Sequence, residues 1–129
     1  MRRVLIATCL FSLLLGCSKS GPPTFPVAGT VTYNGEPIAA GDILFIPDDA
    51  SLKREGGRIK EGKFQFEATA GKKRVEITAQ RDHPTQKNPK GGPVPVDYIP
   101  ANYNTASTLT AEVKPEGKNE FTFPLVGND

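Results

Sequence analysis

His83 is the single histidine of the 129-residue chain, and it is followed directly by Pro84 in a polar stretch. Metal centres gather two or more His, Cys or carboxylate ligands at short spacing, and triad chemistry needs a nucleophile, a base and an orienting acid that converge. One histidine alone supplies neither, so it reads as a surface residue. Asp42, Asp48 and Asp49 around "GDILFIPDD" carry hard oxygen ligands. Their spacing matches no calcium loop, and acids there stop a strand and solvate its ends. "GRIKEGK", Gly57 to Lys63, fits G-x-x-x-x-G-K, but Phe64 stands where a phosphate loop needs a hydroxyl for magnesium. No catalytic residue, metal or cofactor is expected. Tyr98 and Tyr103, with His83, are the candidate partner-binding residues. They fall in the sequence Arg81 to Ser107, expected to be a long proline-rich loop, and their flat amphipathic rings suit glycan, peptide or protein contact. The competing role is a cap, with a tyrosine hydroxyl bonded to backbone.

Cys17 is a different kind of chemistry. Arg2 and Arg3 precede the uncharged stretch Val4 to Leu15, which is too short to span a bilayer and reads as a secretory signal. Leu14-Leu15-Gly16-Cys17 resembles the lipobox of bacterial lipoproteins, in which cleavage before the cysteine accompanies transfer of a diacylglycerol to its sulfur. The only other cysteine, Cys9, lies inside that signal, so no disulfide is expected in the processed chain. Lipid attachment also removes a free thiol from an oxidising compartment.

Charge follows from the same cut. The chain has 16 Lys and Arg against 14 Asp and Glu, and two of the arginines belong to the signal. The remainder is balanced, which argues against nucleic acid as a partner. Lys72-Lys73-Arg74 reads as the solvated start of a strand. The expected divisions are 1–16 as signal, 17–26 as lipidated cysteine and flexible tether, and 27–127 as one folded domain.

From Val27 on, apolar residues alternate in short runs bounded by Gly, Pro and Asn. "VAGTVTY" puts Val27, Gly29, Val31 and Tyr33 on one face, and Asn34-Gly35 is suited to a tight reversal. Glu61-Gly62 is a second turn, placing Lys60 opposite Lys63 and Ile59 opposite Phe64, with Phe66 continuing that face. Val75, Ile77 and Ala79 point inward, as do Leu109, Ala111 and Val113, and then Phe121, Phe123 and Leu125. Pro124 indicates an edge strand. About seven short strands argue for an all-β, two-layer antiparallel sandwich.

The runs "VAGTVTYNGEPIAAGDILFIPDD", "GGRIKEGKFQFEATAGKKRVEITA" and "DYIPANYNTASTLTAEVKPEGKNEFTFPL" resemble the carboxypeptidase-regulatory-like, transthyretin-like domains of small bacterial lipoproteins. The resemblance implies a prealbumin-like, Greek-key sandwich and an accessory role rather than a reaction. The transthyretin-related hydrolases end in Y-R-G-S and use several histidines, whereas this sequence ends "LVGND". The reading is a non-enzymatic, lipid-anchored envelope protein, with Ser18 after the cysteine favouring the outer membrane. Its expected partner is an envelope protein or polysaccharide. The alternative is a small-ligand, glycan or peptide carrier, and no oligomeric state is predicted.

Overall fold

The computed structural model describes Gly16 and residues 21–128; the rest of the expected signal, Cys17 and residues 18–20 of the expected tether lie outside the described residues. β1 (Thr24–Tyr33) turns through Asn34-Gly35 into the two-residue β2 (Glu36–Pro37). Asn34 and Gly35 have φ of 50° and 85°, the paired left-handed conformation that this dipeptide accepts at low cost. β3 (Ala40–Pro47), β4 (Glu55–Lys60) and β5 (Lys63–Thr69) follow. The turn between β4 and β5 is Glu61-Gly62, with Lys60 opposite Lys63, as its spacing predicts. Then come β6 (Gly71–Lys87), β7 (Pro93–Asp97), a 3₁₀ turn at Ala101–Tyr103, β8 (Thr110–Val113) and β9 (Asn119–Leu125).

The described residues are thus all-β. Nine strands join one sheet rather than about seven, in the order β2-β1-β5-β4-β3-β6-β7, with β8 on β6 and β9 on β1. The two additions are β2, which is only a turn's closing pair, and β7, whose Pro93 and Pro95 mask a strand pattern. All pairings are antiparallel except that of β1 with β9, which run parallel. β9 has no other partner strand, so Pro124 sits on an edge.

The sheet curls into a half-barrel, and its apolar face makes it do so. Phe45 in β3 is fully buried, and its ring lies 5.7 Å from that of Phe121 in β9, edge to face. β1, β5 and β4 stand between these two strands in hydrogen-bonding order. Phe66 and Phe64 of β5 complete the cluster at 5.0 and 6.5 Å from Phe45. The predicted inward sets Val27/Val31/Tyr33, Val75/Ile77/Ala79, Ala111/Val113 and Phe123/Leu125 all belong to this core. Gly29 shares the inward face because a Cβ there would run into the Phe121 carbonyl oxygen and the Phe64 ring. The bulky neighbours leave it no room.

Strand directions give the domain two distinct ends. β1 and β6 point the same way, since β5, β4 and β3 alternate between them. Thr24, Thr69 and Gly71 therefore mark the end where the stretch expected as a tether enters. Tyr33 and Ala79 mark the opposite end, beyond which β6 continues.

At the tether end the expectation for Lys72-Lys73-Arg74 needs correction. Lys73 is 1% exposed and shares the inward face with Val75. Its ammonium donates to Thr69 Oγ1 at 2.6 Å and to Glu55 Oε2 at 3.3 Å, while Glu55 Oε1 accepts the Thr69 N–H at 2.8 Å. Every member of this knot is satisfied by another, which is the condition for burying charge. Arg74 does point outward and pairs with Glu76 at 2.6 Å. The acids divide similarly. Asp48 and Asp49 follow β3, and Asp49 accepts from the Ser51 hydroxyl and N–H, which hold its carboxyl below the usual range. Asp42 lies within β3 instead, opposite Arg58 and paired with it at 3.2 Å.

Two stability outcomes follow. Phe45→Ala should cost about 3–5 kcal/mol in urea unfolding, and a loss below about 1 kcal/mol would show that the curl does not depend on this ring. Lys73→Ala should cost about 3–5 kcal/mol because it strands Glu55, whereas Lys73→Met with Glu55→Leu should recover most of that loss. A double variant no better than the single one would refute the account of the knot.

Candidate functional site

Beyond Ala79 the stretch expected as a loop is largely a two-stranded ribbon. Gln80, Arg81 and Asp82 of β6 pair with Asp97, Val96 and Pro95 of β7. The register then shifts before Lys87 meets Pro93, so residues 83–86 form a bulge. His83 explains how the bulge closes. Its Nδ1 accepts N–H groups from Gln86 at 2.9 Å and Thr85 at 3.2 Å, donors that the interrupted ladder would leave open. These bonds assign the ring proton to Nε2 when the imidazole is neutral. At the tip, Asn88 Oδ1 accepts from Lys90 and Gly92 in the same manner. The exposed ribbon is held by local side-chain caps rather than by a core.

Tyr98 sits at the ribbon's root. Its N–H donates to the Ala79 carbonyl, and its ring packs edge to face on Tyr33 with centroids 5.3 Å apart. The Arg81 guanidinium lies 4.9 Å from the Tyr98 ring centre, within cation–π range. Opposite this root is the β1–β2 turn. Together Tyr33, Asn34, Glu36, Pro37, Arg81 and Tyr98 line a cleft of about 350 Å³ at the end remote from the tether. It offers two aromatic rings, one guanidinium, one carboxylate and one amide, a set fitted to recognition by stacking and hydrogen bonding.

Tyr103 does other work. The Leu125 carbonyl accepts from Asn34, so the backbone groups of Leu125 face β1 and those of Pro124 and Val126 face outward. Pro124 has no N–H to offer on that edge. The Val126 N–H donates to the Tyr103 hydroxyl at 3.0 Å. Tyr103 thus caps an open strand edge, the role weighed for it against partner contact. Asn104 secures the same turn, its side-chain amide donating to the carbonyls of Ile77, Ile99 and Pro100. Below it, the buried Ser107 hydroxyl donates to the Val75 carbonyl and accepts from Leu109 N–H.

Of the four residues singled out from the sequence, the structure brings Tyr98 into a cleft, Tyr103 onto an edge and His83 into the ribbon bulge. Cys17 lies outside the described residues. Tyr33 and Arg81 were hidden from sequence reasoning, one as a core position and the other as an ordinary loop charge. Only strand pairing makes them neighbours of Tyr98. Among the described residues, no three His, Cys, Asp or Glu side chains gather as a metal site, and no helix is long and apolar enough to cross a membrane. No protein-family model, curated protein or solved structure matches the chain. The fold and site together define an all-β, curled-sheet domain with an aromatic cleft at one end.

The two tyrosines should separate experimentally. Tyr103→Phe keeps the ring and removes the acceptor, so the Val126 amide should exchange about fivefold to tenfold faster, for a loss of about 1 kcal/mol. Unchanged exchange at Val126 would remove Tyr103 from the edge.

Proposed function

We propose that this chain is a lipid-anchored, non-enzymatic binding module of the cell envelope, built on a transthyretin-like sandwich. The all-β curled sheet is compatible with the sandwich that its motifs resemble. Cys17 carries the anchor, and the residues from there to Pro23, just before β1, tether the domain to the membrane. The observation that carries the reading is the position of the Tyr33–Tyr98–Arg81 cleft, at the end of the sheet opposite the entry of the tether. An anchored domain would present that end away from the membrane, where an envelope partner is met.

The rings in this cleft are held by each other and by Arg81, so they need little ordering when a partner arrives, which favours affinity. The alternative reading, a carrier of a small ligand, uses the same cleft and differs only in what fills it.

Two outcomes test the proposal. Cys17→Ala should abolish fatty-acid labelling in cells, and normal labelling of that variant would overturn the anchor. In-cell crosslinking of the full chain should enrich a specific partner, and Tyr98→Ser, shown to remain folded, should lose it. A partner profile that is indifferent to Tyr98 would remove the cleft from the function.

A further inference from the structure

A second surface lies on the solvent face of the sheet, away from the tyrosine cleft. Strand register lays its side chains out as a grid. Thr122 of β9 neighbours Thr30 of β1, Thr30 neighbours Lys63 of β5, and Lys63 opposes Lys60 of β4. One step toward the tether end, Glu120 neighbours Ala28, and Ala28 neighbours Gln65. These residues and Arg58 line an open cleft of about 690 Å³. It crosses four strands, about 14 Å at ordinary strand spacing. Ala28 keeps the floor low.

The charges in this cleft are not balanced by the protein. Lys60 and Lys63 face each other directly across the Glu61-Gly62 turn, an arrangement that costs stability in a sheet. Neither belongs to an ion pair among the described residues, and Arg58 is joined only to Asp42, through an exposed contact. Three cations thus line a cleft whose one carboxylate, Glu120, is on the far strand. The chemistry asks for an anion.

The surroundings narrow which anion. Phe64 and Phe121 also line the cleft, but Phe64 is buried and Phe121 half-buried against the core. Val126, the single exposed large apolar side chain among the described residues, lies outside it, so the cleft offers an apolar partner no exposed side chain. Of the four strands, β1, β5 and β4 have partners on both edges and the open edge of β9 lies only at the rim, so an extended peptide crossing the cleft has no backbone ladder to join. What the cleft offers instead is hydroxyls from Thr30 and Thr122, an amide from Gln65 and three cations. Those groups hydrogen-bond sugar hydroxyls and pair with carboxylates. Its openness and its direction across the strands suit a polymer passing through rather than a compact ligand. We infer that this face binds a segment of an acidic polysaccharide, with Arg58, Lys60 and Lys63 on its carboxylates. The inference rests on the reading of the domain as a binding module, but it uses neither the lipid anchor nor the tyrosine cleft.

The test uses the full chain in detergent micelles and fluorescence anisotropy with a labelled oligogalacturonate. A neutral maltooligosaccharide of equal length and a polyglutamate peptide serve as competitors. Oligogalacturonate should bind, weaken as salt is raised and resist both competitors. Lys60→Gln with Lys63→Gln should weaken it about tenfold, while Lys87→Gln with Lys90→Gln at the ribbon tip should leave it unchanged. Because the first pair also removes a like-charge contact, its melting temperature should be equal to or above that of the parent. Absent binding, equal competition by either probe, or a Lys60/Lys63 variant that binds like the parent would each overturn the inference. None of these outcomes bears on the Tyr98-dependent crosslink, which fails or stands by itself.

Discussion

The ring of Phe45 touching that of Phe121 is the contact on which the rest of the architecture turns. A flat sheet of these strands would leave one whole apolar face in water. Bringing β3 against β9 removes that face from solvent and demands the curl. The same demand excludes a side chain at Gly29, where a Cβ would meet the Phe121 carbonyl oxygen and the Phe64 ring. It also leaves β9 and β8 as sheet edges, because closure by side chains does not pair the backbones at the seam.

Those edges explain several residues that have no place in the core. Pro124 removes a donor from the free side of β9, and Tyr103 occupies the next one. On β7, the Tyr98 N–H faces β6, so by alternation the nitrogen of Pro95 faces outward. Prolines and a hydroxyl thus blunt the positions where another strand would add. Binding by strand addition is correspondingly discouraged, and recognition is left to side chains on faces and at strand ends.

The two ends of the domain are built by different physics. At the tether end, Lys73, Glu55 and Thr69 lock the starts of β4 and β6 to the finish of β5 through buried charge-assisted bonds. At the other end, the ribbon leaves the core altogether and is held by His83, Asn88 and the packing of Tyr98 on Tyr33. A firm base and a self-capped projection suit the proposed module, anchored at one end and reading its surroundings with the other.

Much of this was legible in the sequence because it depends on neighbours along the chain. Alternation of apolar residues set the inward faces, and Asn34-Gly35 and Glu61-Gly62 set two turns through their tolerance of positive φ. Phe64 following Lys63 was enough to separate a hairpin from a phosphate loop. What stayed hidden involves partners distant in sequence. The burial of Lys73 depends on Glu55, eighteen residues earlier, and nothing in a run of three basic residues distinguishes the middle one until strands β4 and β6 share a core. The ribbon was masked because prolines argue against strands, although on an outward-facing edge they forfeit no bond. The cleft required Tyr33, Arg81 and Tyr98 to converge from two strands and a strand end, and the cationic face required a register across four strands. Local backbone and periodicity rules sufficed for the all-β class and its turns. The curl, the buried charge and both surfaces were decided by tertiary structure, because side-chain packing and charge compensation act through space and have no signature in local spacing.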